Sequence, residues 1–96
     1  YSSDQRLKDN VQVITNPIEK LKEIRGVKFD WNSGIKDNRV GTTEYGLIAQ
    51  EVEAVMSQTV STNYEGYKSI KYNHIIALLV EAVKTLEDRV KTLENS

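Results

Sequence analysis

Residues 76–93 read IALLVEAVKTLEDRVKTL, and within them Ile76, Leu79, Val83, Leu86, Val90 and Leu93 recur in alternating steps of three and four. That spacing keeps all six on one stripe of an α-helix, and its persistence over successive heptads marks a helix–helix seam. The a positions are β-branched and the d positions are leucine, a chemistry that favours two strands in parallel coiled coils. Arg89 at g and Glu94 at the following e are placed to pair between such helices. A helix over residues 73–94 would be about 30 Å long, longer than the rest of so small a domain can cover. It is expected to project and to bundle with copies of itself. The alternative is a helix packed only on its own domain.

Upstream of that helix the chain alternates short elements. Asn16-Pro17-Ile18-Glu19 reads as a helix start, with Asn16 as cap, Pro17 at the first helical position and Glu19 completing a box-like pattern. Ile18, Leu21 and Ile24 share one face, and Gly26 is the expected stop. Val27, Phe29 and Trp31 alternate with Lys28 and Asp30 as in a half-buried strand. Residues 32–44 are polar and glycine-bearing, which predicts a surface loop or hairpin connection. Ile48, Val52 and Val55 recur at helical spacing, and residues 64–72 read as strand with Ile70 and Tyr72 on one face. The fold class expected is therefore α+β: a small β-sheet with short helices, plus the long C-terminal helix.

Composition narrows the function. Thirteen basic and fourteen acidic residues leave a net charge of −1 over 96 residues. No basic field is present to recruit nucleic acid or an anionic membrane, so neither is expected as a partner. The longest apolar run, Ile75 to Val80, is far short of a membrane span. With no cysteine and one histidine, disulfides are excluded and no zinc ligand set is available. No metal is expected. No cofactor is assigned: Gly41 and Gly46 lack the context of a phosphate-cradling loop, and nucleotide dependence stays open. A small domain without such staples gains stability most readily by oligomerising.

The chain opens with Ser2 followed by Ser3-Asp4-Gln5-Arg6-Leu7-Lys8-Asp9-Asn10-Val11. Read alone, a Ser-Asp pair before basic residues is an ordinary surface loop. Together with Gly46-Leu47-Ile48-Ala49-Gln50-Glu51-Val52-Glu53 and the run from Tyr67 to Leu93, it resembles a known family. The resemblance, with its motifs in order, is to the self-cleaving intramolecular chaperone domains of phage endosialidases, tail fibres, tailspikes and neck appendages, the S74 peptidases.

The resemblance implies a domain made at the C-terminus of a long fibre protein. It trimerises, helps the parent fold in register and then cuts itself off. Homotrimers are thus implied where the heptad chemistry alone suggests dimers. Ser3 is implied as nucleophile, Lys8 as base and Ser2–Ser3 as the broken bond. Residues 1–2 would then end the parent fibre, and residues 3–96 would form the released domain. The implied partners are two further copies and the N-terminal part of the same precursor. The implied setting is the host-cell cytoplasm during virion assembly, with the parent in the virion tail.

That chemistry suits the residue types. Ser3 Oγ can attack the Ser2 carbonyl through a five-membered ring, and good orientation can remove roughly 7–11 kcal/mol of barrier. Serine needs a base, and a lysine serves only when neutral, which calls for burial or a neighbouring cation. Arg6 is the candidate cation, and burial on assembly is the candidate cause of delay. Five residues put Ser3 and Lys8 on different faces of either a helix or a strand, so a turn must join them or Lys8 must act across chains. Asp4 and Asn10 are expected to hold the turn by side-chain-to-backbone bonds. His74 reads as a helix-start residue, and Gln50, Glu51 and Glu53 as a solvated helix face. A trimerisation module of the same fold that never cuts is the competing function.

Overall fold

The computed structural model describes residues 2–96; Tyr1, the first residue of the segment expected to precede the cut, lies outside them. Helix α1 (Pro17–Lys22) begins with Pro17 buried at its first turn. Asn16 does not cap it as expected. Asn16 adopts a left-handed φ of 51° and makes no side-chain cap bond, a conformation asparagine tolerates better than most residues. Gly26 is not the stop either. The helix ends at Lys22, an Ile24 N–H to Leu21 carbonyl bond of 3.0 Å tightens the exit, and Gly26 does not have positive φ.

Strand β1 (Val27–Asp30) pairs antiparallel with β2 (Thr43–Gly46), setting Val27 opposite Gly46 and Phe29 opposite Glu44. Val27 and Phe29 are half-buried while Lys28 and Asp30 face water, the alternation expected of a strand with one covered face. Trp31 stands just past β1 but prolongs the pairing, donating to the Thr42 carbonyl at 2.9 Å and accepting from Gly41 N–H at 2.8 Å. Gly41 permits this closure at φ 83°.

Helix α2 (Ala49–Val55) is followed by a second hairpin, β3 (Val60–Thr62) with β4 (Lys68–Ile70), in which Val60 faces Ile70. Residues 64–72 are thus not one strand. Asn63 Oδ1 accepts from Glu65 N–H at 2.9 Å and Tyr67 N–H at 3.0 Å, and Gly66 takes φ 90°, so residues 63–67 form the turn. Tyr72 opens the final helix instead of ending a strand. The single small sheet expected from the sequence is two separate two-stranded sheets.

Helix α3 (Tyr72–Glu94) runs for 23 residues, one residue earlier at its start than the heptads predicted. The packed centre is small: Val52 from α2 and Ile75, Leu78 and Ala82 from α3, with Thr59 the buried polar residue. Helix α1 lies against α3, joined at its edge by Glu19 and Arg89 at 3.5 Å.

Two magnitudes show how little of the chain is enclosed. Accessible surface is 7862 Å², whereas a compact monomer of this mass exposes roughly 5,600 Å². The radius of gyration is 17.0 Å, against about 12.5 Å for a compact 96-residue domain. The described chain is 54 Å long and leaves much apolar surface in water. Among the described residues, no helix is long and apolar enough to cross a membrane.

Candidate functional site

Between Ser3 and Lys8 the backbone makes a single 3₁₀ turn, Gln5–Leu7, closed by Leu7 N–H to the Asp4 carbonyl and Lys8 N–H to the Gln5 carbonyl, both at 3.1 Å. Five extended residues would span about 16 Å. The turn folds that distance back, and Lys8 Nζ lies 2.6 Å from Ser3 Oγ as hydrogen-bond donor. The two side chains that sequence spacing separates therefore meet within one chain. Both are exposed.

Asp4 organises this turn. Its Oδ1 accepts from Arg6 N–H at 2.9 Å and from Arg6 Nε at 3.2 Å, while Oδ2 accepts from Arg6 Nη2 at 2.9 Å. The hydrogen bonds from the Arg6 side chain and then its backbone hold the Asp4 carboxyl below its ordinary range. The same side-chain bond raises Arg6. Arg6, the candidate cation beside Lys8, is ion-paired with the adjacent Asp4 carboxylate at 2.9 Å. Asn10, expected to bond the turn, takes a left-handed φ of 55° beyond it. The turn contains no buried residue, and Leu7, Val11 and Val13 along this arm are each more than 70% exposed.

The second feature is the stripe along α3. Ile76, Leu79, Val83, Leu86, Val90 and Leu93 are all exposed, between 44% and 73%. Ile75, Leu78 and Ala82, each next in sequence to a member of the stripe, are at most 8% exposed. The helix thus packs its own domain with one face and presents the heptads to solvent on another. The helix therefore does pack on its own domain, as the alternative has it, but through the neighbouring residues and not through the heptad stripe.

Other singled-out residues have structural partners. His74 Nδ1 lies 3.0 Å from the buried Thr59 Oγ1, joining α3 to the segment before β3. Glu51 and Glu53 are not a simple solvated face. Glu51 accepts from Arg25 N–H at 3.1 Å and from Nε at 2.9 Å, and Glu53 accepts from Lys68 at 3.1 Å. Sequence reading missed both pairs, which join residues 26 and 15 positions apart. It also missed an open apolar cleft of about 440 Å³ between the hairpins, lined by Phe29, Trp31, Ile70 and Tyr72 among others. There Trp31 donates to Glu44 at 2.7 Å, meets Phe29 edge-on at 5.1 Å and carries the Arg39 guanidinium at 4.7 Å.

Comparison with known proteins agrees with this layout. Residues 3–61 match the family described as chaperone of endosialidase, peptidase S74. The chain is 39% identical to long tail fiber protein Gp37 of Enterobacteria phage K3 over 97% of its own length and 8% of that protein's. It is 34% identical to the Gp37 of Salmonella phage S16, covering 97% of this chain and 13% of the relative. For Enterobacteria phage M1 the identity is 30%, with 96% and 38% covered. The chain therefore spans well under half the length of these curated relatives. The family match begins at Ser3, the residue that the turn brings to Lys8, and runs through the first hairpin and α2 into β3. On that match, the chain belongs to the peptidase S74, chaperone of endosialidase, family.

Proposed function

We propose that residues 3–96 are the intramolecular chaperone domain of a phage tail fibre, which assembles as a homotrimer and then releases itself by cutting the Ser2–Ser3 bond. The observation that carries this reading is the unfinished stripe of α3, six apolar heptad residues in water on a helix whose other face is already packed. Burying such a stripe gains roughly 25 cal/mol per Å², and copies of the same helix offer the matching surface. The heptad chemistry alone favours two strands; family membership supports three. Three chains joined at one helix would bring the ends of three fibre segments into register, which is what a slow-folding β-structured fibre needs in order to start.

The cutting step uses the Ser3–Lys8 contact. The Ser3 Oγ lone pair adds to the Ser2 carbonyl carbon while Lys8, neutral, takes the hydroxyl proton. The C–N bond then breaks, Lys8 returns the proton to the departing Ser3 nitrogen, and the acyl group rests as an ester on Oγ. Water adds to that ester, the C–Oγ bond breaks, and a Ser2 carboxylate and a free Ser3 amine and hydroxyl remain. In the single chain Lys8 faces water. Assembly that removes water from the turn would supply the neutral base, and this couples release to trimerisation. The setting is the host cytoplasm during virion assembly.

Expression of the domain behind the fibre segment that precedes it tests the reading by intact mass. Wild type is expected to yield a free fragment beginning at Ser3, and Ser3→Ala and Lys8→Ala to stay whole. Uncut precursor in all three would leave a trimerisation module without catalysis.

A further inference from the structure

We propose that Asp4 is a positioning residue for self-cleavage: its carboxylate, by capping the Gln5–Leu7 turn, holds Lys8 Nζ on Ser3 Oγ within the same chain. The inference rests on the autoproteolytic reading above and adds to it the residue that sets the geometry.

Among the described residues, no buried side chain supports the turn. It is one 3₁₀ turn of three residues without a buried side chain, and Leu7 at its end is 75% exposed. Isolated turns of this length are marginal in water because too few hydrogen bonds offset the ordering of the backbone. Among the described residues, Asp4 supplies the side-chain hydrogen bond to this backbone, Oδ1 to Arg6 N–H at 2.9 Å. Asp4 itself is extended, with φ −67° and ψ 131°, as a capping residue should be. Lys8 at the other end is also extended, with φ −125° and ψ 131°. The chain thus leaves the turn at once, and the lysine side chain returns along it to Ser3.

Arg6 has the subordinate part. Its guanidinium braces the carboxylate from the side, but the cap bond uses its backbone N–H, which every residue except proline carries. Loss of the Arg6 side chain therefore leaves the cap in place, and loss of the Asp4 side chain removes it. This ordering separates positioning from an electrostatic role, in which Arg6 would act through charge and Asp4 would only dampen it.

The test is the cleavage rate of the fibre–domain precursor, with trimer mass and melting temperature followed in parallel. Removing an exposed N-cap commonly lowers the capped population about five-fold. Asp4→Ala is expected to slow cleavage by about that factor, with assembly and melting unchanged. Asp4→Asn, which retains a capping oxygen, restores most of the rate, and Arg6→Ala causes a smaller loss than Asp4→Ala. Wild-type cleavage by Asp4→Ala overturns the proposal. So does an Asp4→Asn rate as low as that of alanine, or an Arg6→Ala loss as large. Amide exchange of Leu7 and Lys8, whose N–H groups close the turn, reads the same claim without chemistry in the Ser3→Ala background. Faster exchange is expected on adding Asp4→Ala but not Asp4→Asn, and unchanged exchange overturns positioning. If wild-type precursor stays uncut while the exchange result holds, the autoproteolytic reading has failed and the turn-holding role of Asp4 stands.

Discussion

Leu78 and Leu79 are adjacent on α3, yet the first is fully enclosed by its own chain and the second is 44% exposed. The same contrast divides Ile75 from Ile76 and Ala82 from Val83. One residue is about 100° of helix rotation, so the two faces form separate stripes. The inner stripe is buried on a helix that packs against α1 and the segment around Thr59. The outer stripe carries similar residue types and stays 44% to 73% exposed. Apolar residues at coiled-coil spacing thus lie in two different environments on one helix, and only burial tells them apart.

The largest expected effect comes from deleting a side chain of the inner stripe. Leu78→Ala should cost about 2–5 kcal/mol of chain stability, visible as a fall in the melting temperature that protein concentration does not restore. Leu79→Ala should lose stability mainly through association, so its melting temperature should climb with concentration towards wild type. Equal, concentration-independent losses for the two leucines would remove the distinction between the faces.

A charge placed on the outer stripe sharpens it next. Leu86→Asp should abolish the assembled species in sedimentation while the circular-dichroism spectrum of the helix and hairpins persists in part. If cleavage waits for assembly, this variant also leaves the fibre precursor uncut. Efficient cutting by the monomer would separate the two events.

Smaller effects fall away from α3. A Cβ added at Gly46 would approach Tyr72 Oη to 3.2 Å and Phe29 Cε1 to 3.4 Å. Gly46→Ala should therefore cost roughly 1 kcal/mol by crowding, measured by denaturant titration. Gly26→Ala, with nothing near the added methyl, should not. The smallest effect is that of the exposed Arg25–Glu51 pair. Arg25 side-chain hydrogen bonding holds the Glu51 carboxyl below its ordinary value. A carboxyl depressed in the folded chain adds stability that is complete above the unfolded glutamate value and fades as pH falls through the folded one. Glu51→Gln should accordingly lower the melting temperature slightly at neutral pH, less in high salt, with the difference from wild type vanishing in acid.

The outer stripe was legible in the sequence because a helix repeats locally, and six residues in register leave little choice of period. α1 and β1 were legible for the same reason, and Pro17 fixed a helix start without help from the rest of the fold. Division into two hairpins was not legible. Strand β3 offers only Val60 as an apolar residue in three positions, and its pairing with β4 depends on the Asn63 turn. The Ser3–Lys8 pair was visible as a motif, whereas the means of joining it was not. That means is a side-chain bond from Asp4 to a backbone N–H two residues on, and the same carboxylate ion-pairs with the Arg6 guanidinium. Ion pairs such as Arg25–Glu51 join positions 26 apart and leave no periodic trace.

The account depends most on what meets the outer stripe, and native mass of the purified domain at micromolar concentration tests that directly. Three chain masses for wild type, falling to one in Leu86→Asp, is the predicted result. A wild-type domain that remains a single chain, with its helix formed and its six heptad residues in water, would contradict it.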